Sequence, residues 1–193
     1  MNKDTTRDGV NYGPLAALLG AWEGAKDADR APEPDGEERN PCYETTVFQA
    51  AGDVTNAEQQ TLSVVRYHQV VRRKPNDQVF HDQVGYWLWD PADDTIVETF
   101  TIPRGVAMVA GGKLGQPGDL QQQLVFEVAA DAASPEFGTV QAPFMFRQAK
   151  TTVFRHTLTV QGDVMRYSES TILDIYDKTA FDHKDVNSLR RTA

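Results

Sequence analysis

The chain has 193 residues, a formal net charge of −9 and one cysteine. That length suits one domain with its own core, and a lone Cys42 excludes an internal disulfide and suits a reducing compartment. An acidic chain with only short basic clusters argues against nucleic acid as a partner, because phosphate binding needs a basic surface. No apolar run reaches the length of a membrane span, so no membrane insertion is expected. The polar start Met1-Asn2-Lys3-Asp4-Thr5-Thr6-Arg7-Asp8 lacks signal-peptide character, which makes the cytoplasm the expected location.

Residues 1–12 read as a flexible tail, and 13–193 as a single domain. Pro14 opens a short helical turn, Leu15-Ala16-Ala17-Leu18-Leu19, expected to cap one end of the fold. Strand 1 carries Gly20-Ala21-Trp22-Glu23-Gly24. In extended backbone Gly20, Trp22 and Gly24 share a face, so Trp22 fills space while the glycines admit another backbone or a ligand. Residues 26–41 are polar and hold Pro32, Pro34 and Pro41, which predicts a long exposed loop. Further strands are predicted near Tyr43–Ala50, Thr61–Arg73, Gln78–Trp89, Thr95–Ile102, Val106–Ala110, Gln121–Ala129, Thr151–Val160 and Val164–Tyr176, with a last short one at Asp185–Arg191. Turn residues punctuate them: Lys74-Pro75-Asn76-Asp77, Pro103-Arg104-Gly105, Gly115-Gln116-Pro117-Gly118-Asp119, a loop over 130–143, and Gln161-Gly162-Asp163. About ten closely spaced strands and no long amphipathic helix predict an all-β fold, a closed antiparallel barrel in preference to a sandwich.

Two strands have mixed faces. Val79, His81, Gln83, Gly85, Trp87 and Trp89 alternate with Phe80, Asp82, Val84, Tyr86 and Leu88, and neither set is cleanly polar. The strand at Thr61–Arg73 behaves alike. A solid apolar core would give cleaner alternation. A cavity with a few polar groups among apolar walls is expected, the competing reading being ordinary polar residues at the barrel ends.

The residues also resemble a known family, the nitrobindin-like haem-binding β-barrels, which share the calycin and fatty-acid-binding-protein shape. The carriers are Gly20-Ala21-Trp22-Glu23-Gly24, Tyr43-Glu44, Gly85-Tyr86-Trp87, Ile102-Pro103-Arg104-Gly105-Val106 and the segment from Phe181 to Arg191. The resemblance implies a ten-stranded barrel around one cavity, with a short helix plugging an end. It further implies haem b as cofactor, nitric oxide binding, conversion of peroxynitrite to nitrate, and His183 as the axial ligand of the haem iron. Two features depart from the family pattern: the loops after strand 1 and around 130–143, and the acidic neighbours Asp182 and Asp185 of His183.

The candidate site residues are therefore His183, Arg104, His156 and Trp22. An axial histidine needs one nitrogen aimed into the pocket and a partner on the other, which Asp182 or Asp185 would supply to His183. His156, in Phe154-Arg155-His156-Thr157-Leu158, shares a face with apolar side chains and reads first as a satisfied core residue. Arg104 at its corner is placed to hold a carboxylate or propionate, or to be a solvated turn residue. Trp22 reads first as core. His68 and His81 form at best a weak zinc pair. Arg166 and Tyr167 are adjacent and cannot both face inward.

Three function classes follow. The first binds a hydrophobic small ligand in the barrel, most concretely haem through His183. The second is a haem-free carrier of a fatty acid or similar acid, with Arg104 or Arg166 on the head group. The third is an interaction scaffold whose barrel is filled by its own side chains. A homodimer is compatible with each.

Overall fold

The computed structural model describes residues 5–33, 36–115 and 123–192. Two short strands, β1 (Thr6–Arg7) and β2 (Val10–Asn11), pair with each other ahead of a 3-10 turn at Gly13–Ala17. Then come β3 (Gly20–Glu33), β4 (Gly36–Asn56), β5 (Gln60–Arg73), β6 (Val79–Asp90), β7 (Thr95–Ile102), β8 (Val106–Gly115) and β9 (Leu124–Asp131). A short β10 (Thr139–Gln141) and helix α1 (Pro143–Gln148) precede β11 (Ala149–Gln161), β12 (Val164–Ile175) and β13 (Lys178–Arg191).

Every neighbour in the large sheet is antiparallel, and its order runs β10-β8-β7-β6-β5-β4-β3-β13-β12-β11-β9. The second half of β8, Gly111–Gly115, also pairs with β9, and this closes ten strands into a barrel. The extra strand β10 lies on the first part of β8, Val106–Met108. There the Gln141 side chain bridges to the backbone of Thr151 on β11, through both its N–H and its carbonyl. The closed all-β architecture is the one that the strand spacing predicts.

Alternation sets the inside. On β9, Phe126, Val128 and Ala130 are buried between exposed Glu127, Ala129 and Asp131. At one end the barrel is plugged. Leu15 of the 3-10 turn, Leu18 at its C-terminal cap and Trp22 of β3 have no exposed surface. Trp22 Nε1 donates to Leu18 O at 2.7 Å. The Arg191 guanidinium stacks 4.0 Å above the Trp22 ring and donates to the carbonyls of Leu19 and Ala17. Gly24 sits where β3 meets β13: a Cβ there would lie 2.8 Å from Ser188 O, so only glycine lets these two strands close the ring.

The structure differs from expectation in several places. Residues 26–41 are not a loop in their described part. β3 and β4 pair from Lys26↔Cys42 and, after a bulge, from Asp29↔Asn40 to Glu33↔Gly36. Strand pairing rests on backbone groups, so a polar run can form a hairpin, with Pro32 near its tip and Pro41 at the bulge, where a missing N–H is tolerated. Residues 5–12, read as tail, form the β1–β2 hairpin; Tyr12 is 2% exposed and its hydroxyl accepts from the Gly52 N–H. The stretch 130–143 contains β10 and leads into α1. β13 begins seven residues earlier than the predicted Asp185. Positions 116–119 of the predicted loop, and Gln121 and Gln122 of the predicted strand, lie outside the described residues. Among the described residues no helix is long and apolar enough to cross a membrane.

Candidate functional site

The mixed faces of β5 and β6 are explained by a polar layer across the middle of the barrel. Inward positions there carry Tyr67 on β5, Gln83 on β6, Glu98 on β7, His156 on β11, Tyr167 and Glu169 on β12, and Glu44 on β4. Two buried carboxylates, each 1% exposed, organise it. Glu98 accepts from the Tyr67 hydroxyl at 2.7 Å and pairs with His156 Nδ1 at 2.8 Å. Gln83 Nε2 in turn donates to the Tyr67 hydroxyl at 2.6 Å. Glu44 accepts from Tyr167 at 2.8 Å, Asn187 at 2.7 Å, Gln69 at 2.7 Å and Thr46 at 3.1 Å. Lys26 pairs with Asp185 and donates to the Tyr167 hydroxyl at 3.2 Å. Buried charges are tolerable only with such partners, and removing one costs about 3–5 kcal/mol.

The layer leaves a cavity of about 20 Å³ among Glu44, Tyr67, Glu98, His156, Tyr167 and Glu169. That is room for about one water. The large hollow centre expected from the mixed faces is therefore absent from this layer; side chains bonded to one another occupy it. A larger concavity of about 810 Å³ lies over Gly85, rimmed by outward-facing Arg66, His68, Val84 and Tyr86.

Electrostatics follow from the packing. Burial pushes the Tyr67 and Tyr167 hydroxyls well up, reinforced by Glu98 for the first and Glu44 for the second. Burial alone would lower His156, but the charge and hydrogen bond of Glu98 outweigh it and raise the imidazole. Glu169 is pushed up to about 7, by burial first, against the opposing pull of His156 and with help from Asp185 and Glu98. Burial lowers His81, whose Nε2 stands 3.2 Å from Gln83 Oε1.

His183 lies beyond this layer, toward the end opposite the plug. It alternates inward on β13 with Phe181, Asp185, Asn187 and fully buried Leu189, and it is paired across to Thr171. Its Nε2 is buried without a hydrogen-bond partner. The apolar pair Phe181 and Leu173 stands next along the same face. An unpartnered imidazole nitrogen beside apolar side chains fits what a haem iron needs from its protein ligand. The expected carboxylate support is not there. Asp182 faces outward onto Ser170 and Lys184, and Asp185 is engaged by Lys26. The carboxylate-held histidine occurs instead at His156, whose Nε2 is likewise buried and unpartnered.

The other candidates separate. Arg104 is exposed at the β7–β8 turn, at the same end as His183, and its guanidinium donates to Phe80 O at 3.3 Å. Trp22 belongs to the plug: it pairs across to Arg191, eight positions along β13 from His183, or roughly 26 Å of strand. His68 faces outward onto Asp82, while His81 lies on the inner face, so the two do not converge. No cluster of three or more metal-ligating side chains occurs among the described residues. Tyr167 points inward and Arg166 outward, which removes Arg166 from any internal head-group site. Cys42 is buried on β4.

Sequence reasoning passed over Glu44, Glu98 and Glu169. A signal was available: each has the parity of buried neighbours, as in Ile96-x-Glu98-x-Phe100 and Cys42-x-Glu44-x-Thr46.

No curated protein sequence matches the chain. The crystal structure of Rv2717c from M. tuberculosis superposes with a TM-score of 0.67 at 19% identity, over 93% of this chain and 95% of that one. This likeness establishes the shared fold. The model of the THAP4-like, heme-binding beta-barrel domain matches residues 11–191. With that match spanning nearly its whole length, the chain belongs to the family of THAP4-like, heme-binding β-barrel domains.

Proposed function

We propose that the protein binds haem b at the end of the barrel opposite the plug, with His183 as the protein ligand to the iron. The observation that carries this reading is the buried, unpartnered Nε2 of His183 on the inner face of β13. Family membership supports it. So does the apolar pair Phe181–Leu173 just beyond. Bound haem would supply an iron centre able to take up nitric oxide and to turn peroxynitrite into nitrate. The chain's own contribution is distinct. His183 anchors, the apolar pair excludes water from one side, and Arg104 on the same rim offers a guanidinium to a propionate. The polar layer beneath is a floor that keeps a large planar ligand from sinking into the middle.

The same floor disfavours the fatty-acid carrier. An acyl chain laid along the barrel axis would meet the buried carboxylates of Glu44 and Glu98, which are already hydrogen-bonded across the layer.

The test is reconstitution of purified protein with hemin. A Soret band of the histidine-ligated form is expected. His183→Ala should weaken hemin binding by more than about tenfold, a loss of at least ~1.4 kcal/mol, and change the band. An unaltered spectrum and affinity in that variant would refute the assignment, whereas His156→Gln should leave both in place.

A further inference from the structure

We propose that the floor of the barrel is an acid–base site in its own right, in which one labile proton is shared between the His156–Glu98 pair and Glu169 across a single bound water. The proposal does not depend on haem. His156 and Glu169 are direct cross-strand partners on β11 and β12, and Glu169 is the partner of Asp185 on β13. Inward-facing partners of this kind have Cβ atoms about 4.5–5.5 Å apart. His156 is 8% exposed, its Nδ1 is fixed by Glu98, and its Nε2 has no protein partner. Both His156 and Glu169 line the cavity of about 20 Å³, so the orphan nitrogen opens onto a space sized for one water.

A carboxylate on Nδ1 favours the imidazolium and directs the second proton to Nε2. The step balances simply: Nε2–H gives its proton to the water, the water gives one to the Glu169 carboxylate, and neutral imidazole and carboxylic acid remain. No electrons move. Such a site serves a small protic ligand, water or an anion that gains a proton as it reacts. Its link outward is the Thr171 hydroxyl, which donates to Glu169 Oε1 at 3.2 Å and belongs to the residue paired with His183.

The charged and titratable groups around Glu169 define its behaviour. His156 draws its pKa down, while Asp185 and Glu98 push it up with burial, to about 7. Glu44, Tyr67 and Tyr167 line the same cavity from β4, β5 and β12. Glu44 and Lys26 are tied to Tyr167 and Asp185, and Tyr67 to Glu98.

Infrared difference spectroscopy of the ligand-free protein tests the proposal. A protonated-carboxyl C=O band should disappear with a midpoint near pH 7. The band should be missing in Glu169→Gln, and in His156→Gln its midpoint should rise by about one pH unit, because the imidazolium no longer favours the carboxylate. Circular dichroism confirms that each variant is folded; Glu169→Asp, which keeps a carboxyl, serves if Glu169→Gln is not. A band that survives in Glu169→Gln, that titrates only in the ordinary carboxylate range, or that ignores His156→Gln would overturn the shared-proton site. Hemin binding is not read in this experiment, so its failure is separate from that of the haem assignment.

Discussion

At the scale of single residues, the barrel trades stability for a poised interior. Glu169 has a folded pKa of about 7 against an ordinary 4.5. A carboxyl raised in this way stabilises the fold fully below its unfolded pKa, and that contribution is lost as pH rises through the folded value. His156 is also raised and has the same sign: its contribution is present below the ordinary 6.5 and fades as pH climbs past its folded pKa. The melting temperature should therefore fall as pH rises from about 4.5 to about 7 for the Glu169 share, with the His156 share lost from about 6.5 upward. Glu169→Gln should flatten that decline and gain about 1–3 kcal/mol over the parent above pH 7, or roughly 2–4 °C per kcal/mol in a chain this size. Melting curves at about pH 4.5 and pH 8 decide it, and equal losses in both proteins would contradict the assignment. Glu44 and Glu98 were hard to read in the sequence. Their parity matches the core, but charge suggests the surface, and only the partners Tyr67, Gln69, Tyr167 and Asn187, drawn from three other strands, resolve the conflict.

At the scale of elements, most strands were legible because alternation and turn residues are local signals. Thr95–Ile102 agrees at both ends with β7, and Lys74-Pro75-Asn76-Asp77 falls between β5 and β6. What escaped was pairing that hydropathy does not report. The polar β3–β4 extension and the N-terminal part of β13 are strands because a neighbour's backbone lies alongside. His183 lies in that earlier part of β13, so its inward direction became evident only with the pairing Thr171↔His183. Closure between β3 and β13 is narrow, resting on Leu189↔Gly24, Arg190↔Glu23 and Arg191↔Trp22. A side chain at Gly24 meets the Ser188 carbonyl, the Leu189 side chain and Asn187. Gly24→Val should destabilise by about 2–4 kcal/mol, since overpacking against backbone cannot relax by rotamer change. Urea unfolding measures it, and a loss below ~0.5 kcal/mol would show that the seam yields.

At the scale of the whole molecule, the barrel has three tiers: an apolar plug around Trp22, a polar floor around Glu44 and Glu98, and the rim region of His183 and Arg104. The tiers answer to different perturbations. Trp22→Phe removes the bond to Leu18 O and weakens the Arg191 stack, which should cost about 1–3 kcal/mol. Hemin affinity, measured well below the melting temperature, should stay within about twofold of the parent. A large drop in affinity would mean that the plug and the ligand end are coupled. The barrel topology and the plug were thus readable from residue order, while the polar floor was not, because it is assembled from strands far apart in the chain.

The pairing of β3 with β13 also bears on how the protein is made. The edge of β3 at Trp22–Gly24 waits for Leu189–Arg191, which are synthesised more than 160 residues later. At ~5–20 residues per second that is a delay on the order of ten seconds, during which the nascent chain is an open, curling sheet with an unsatisfied border. The ring can shut only once β13 is available to pair, and the polar floor, with Asp185 and Asn187 among its members, is set in that same final step.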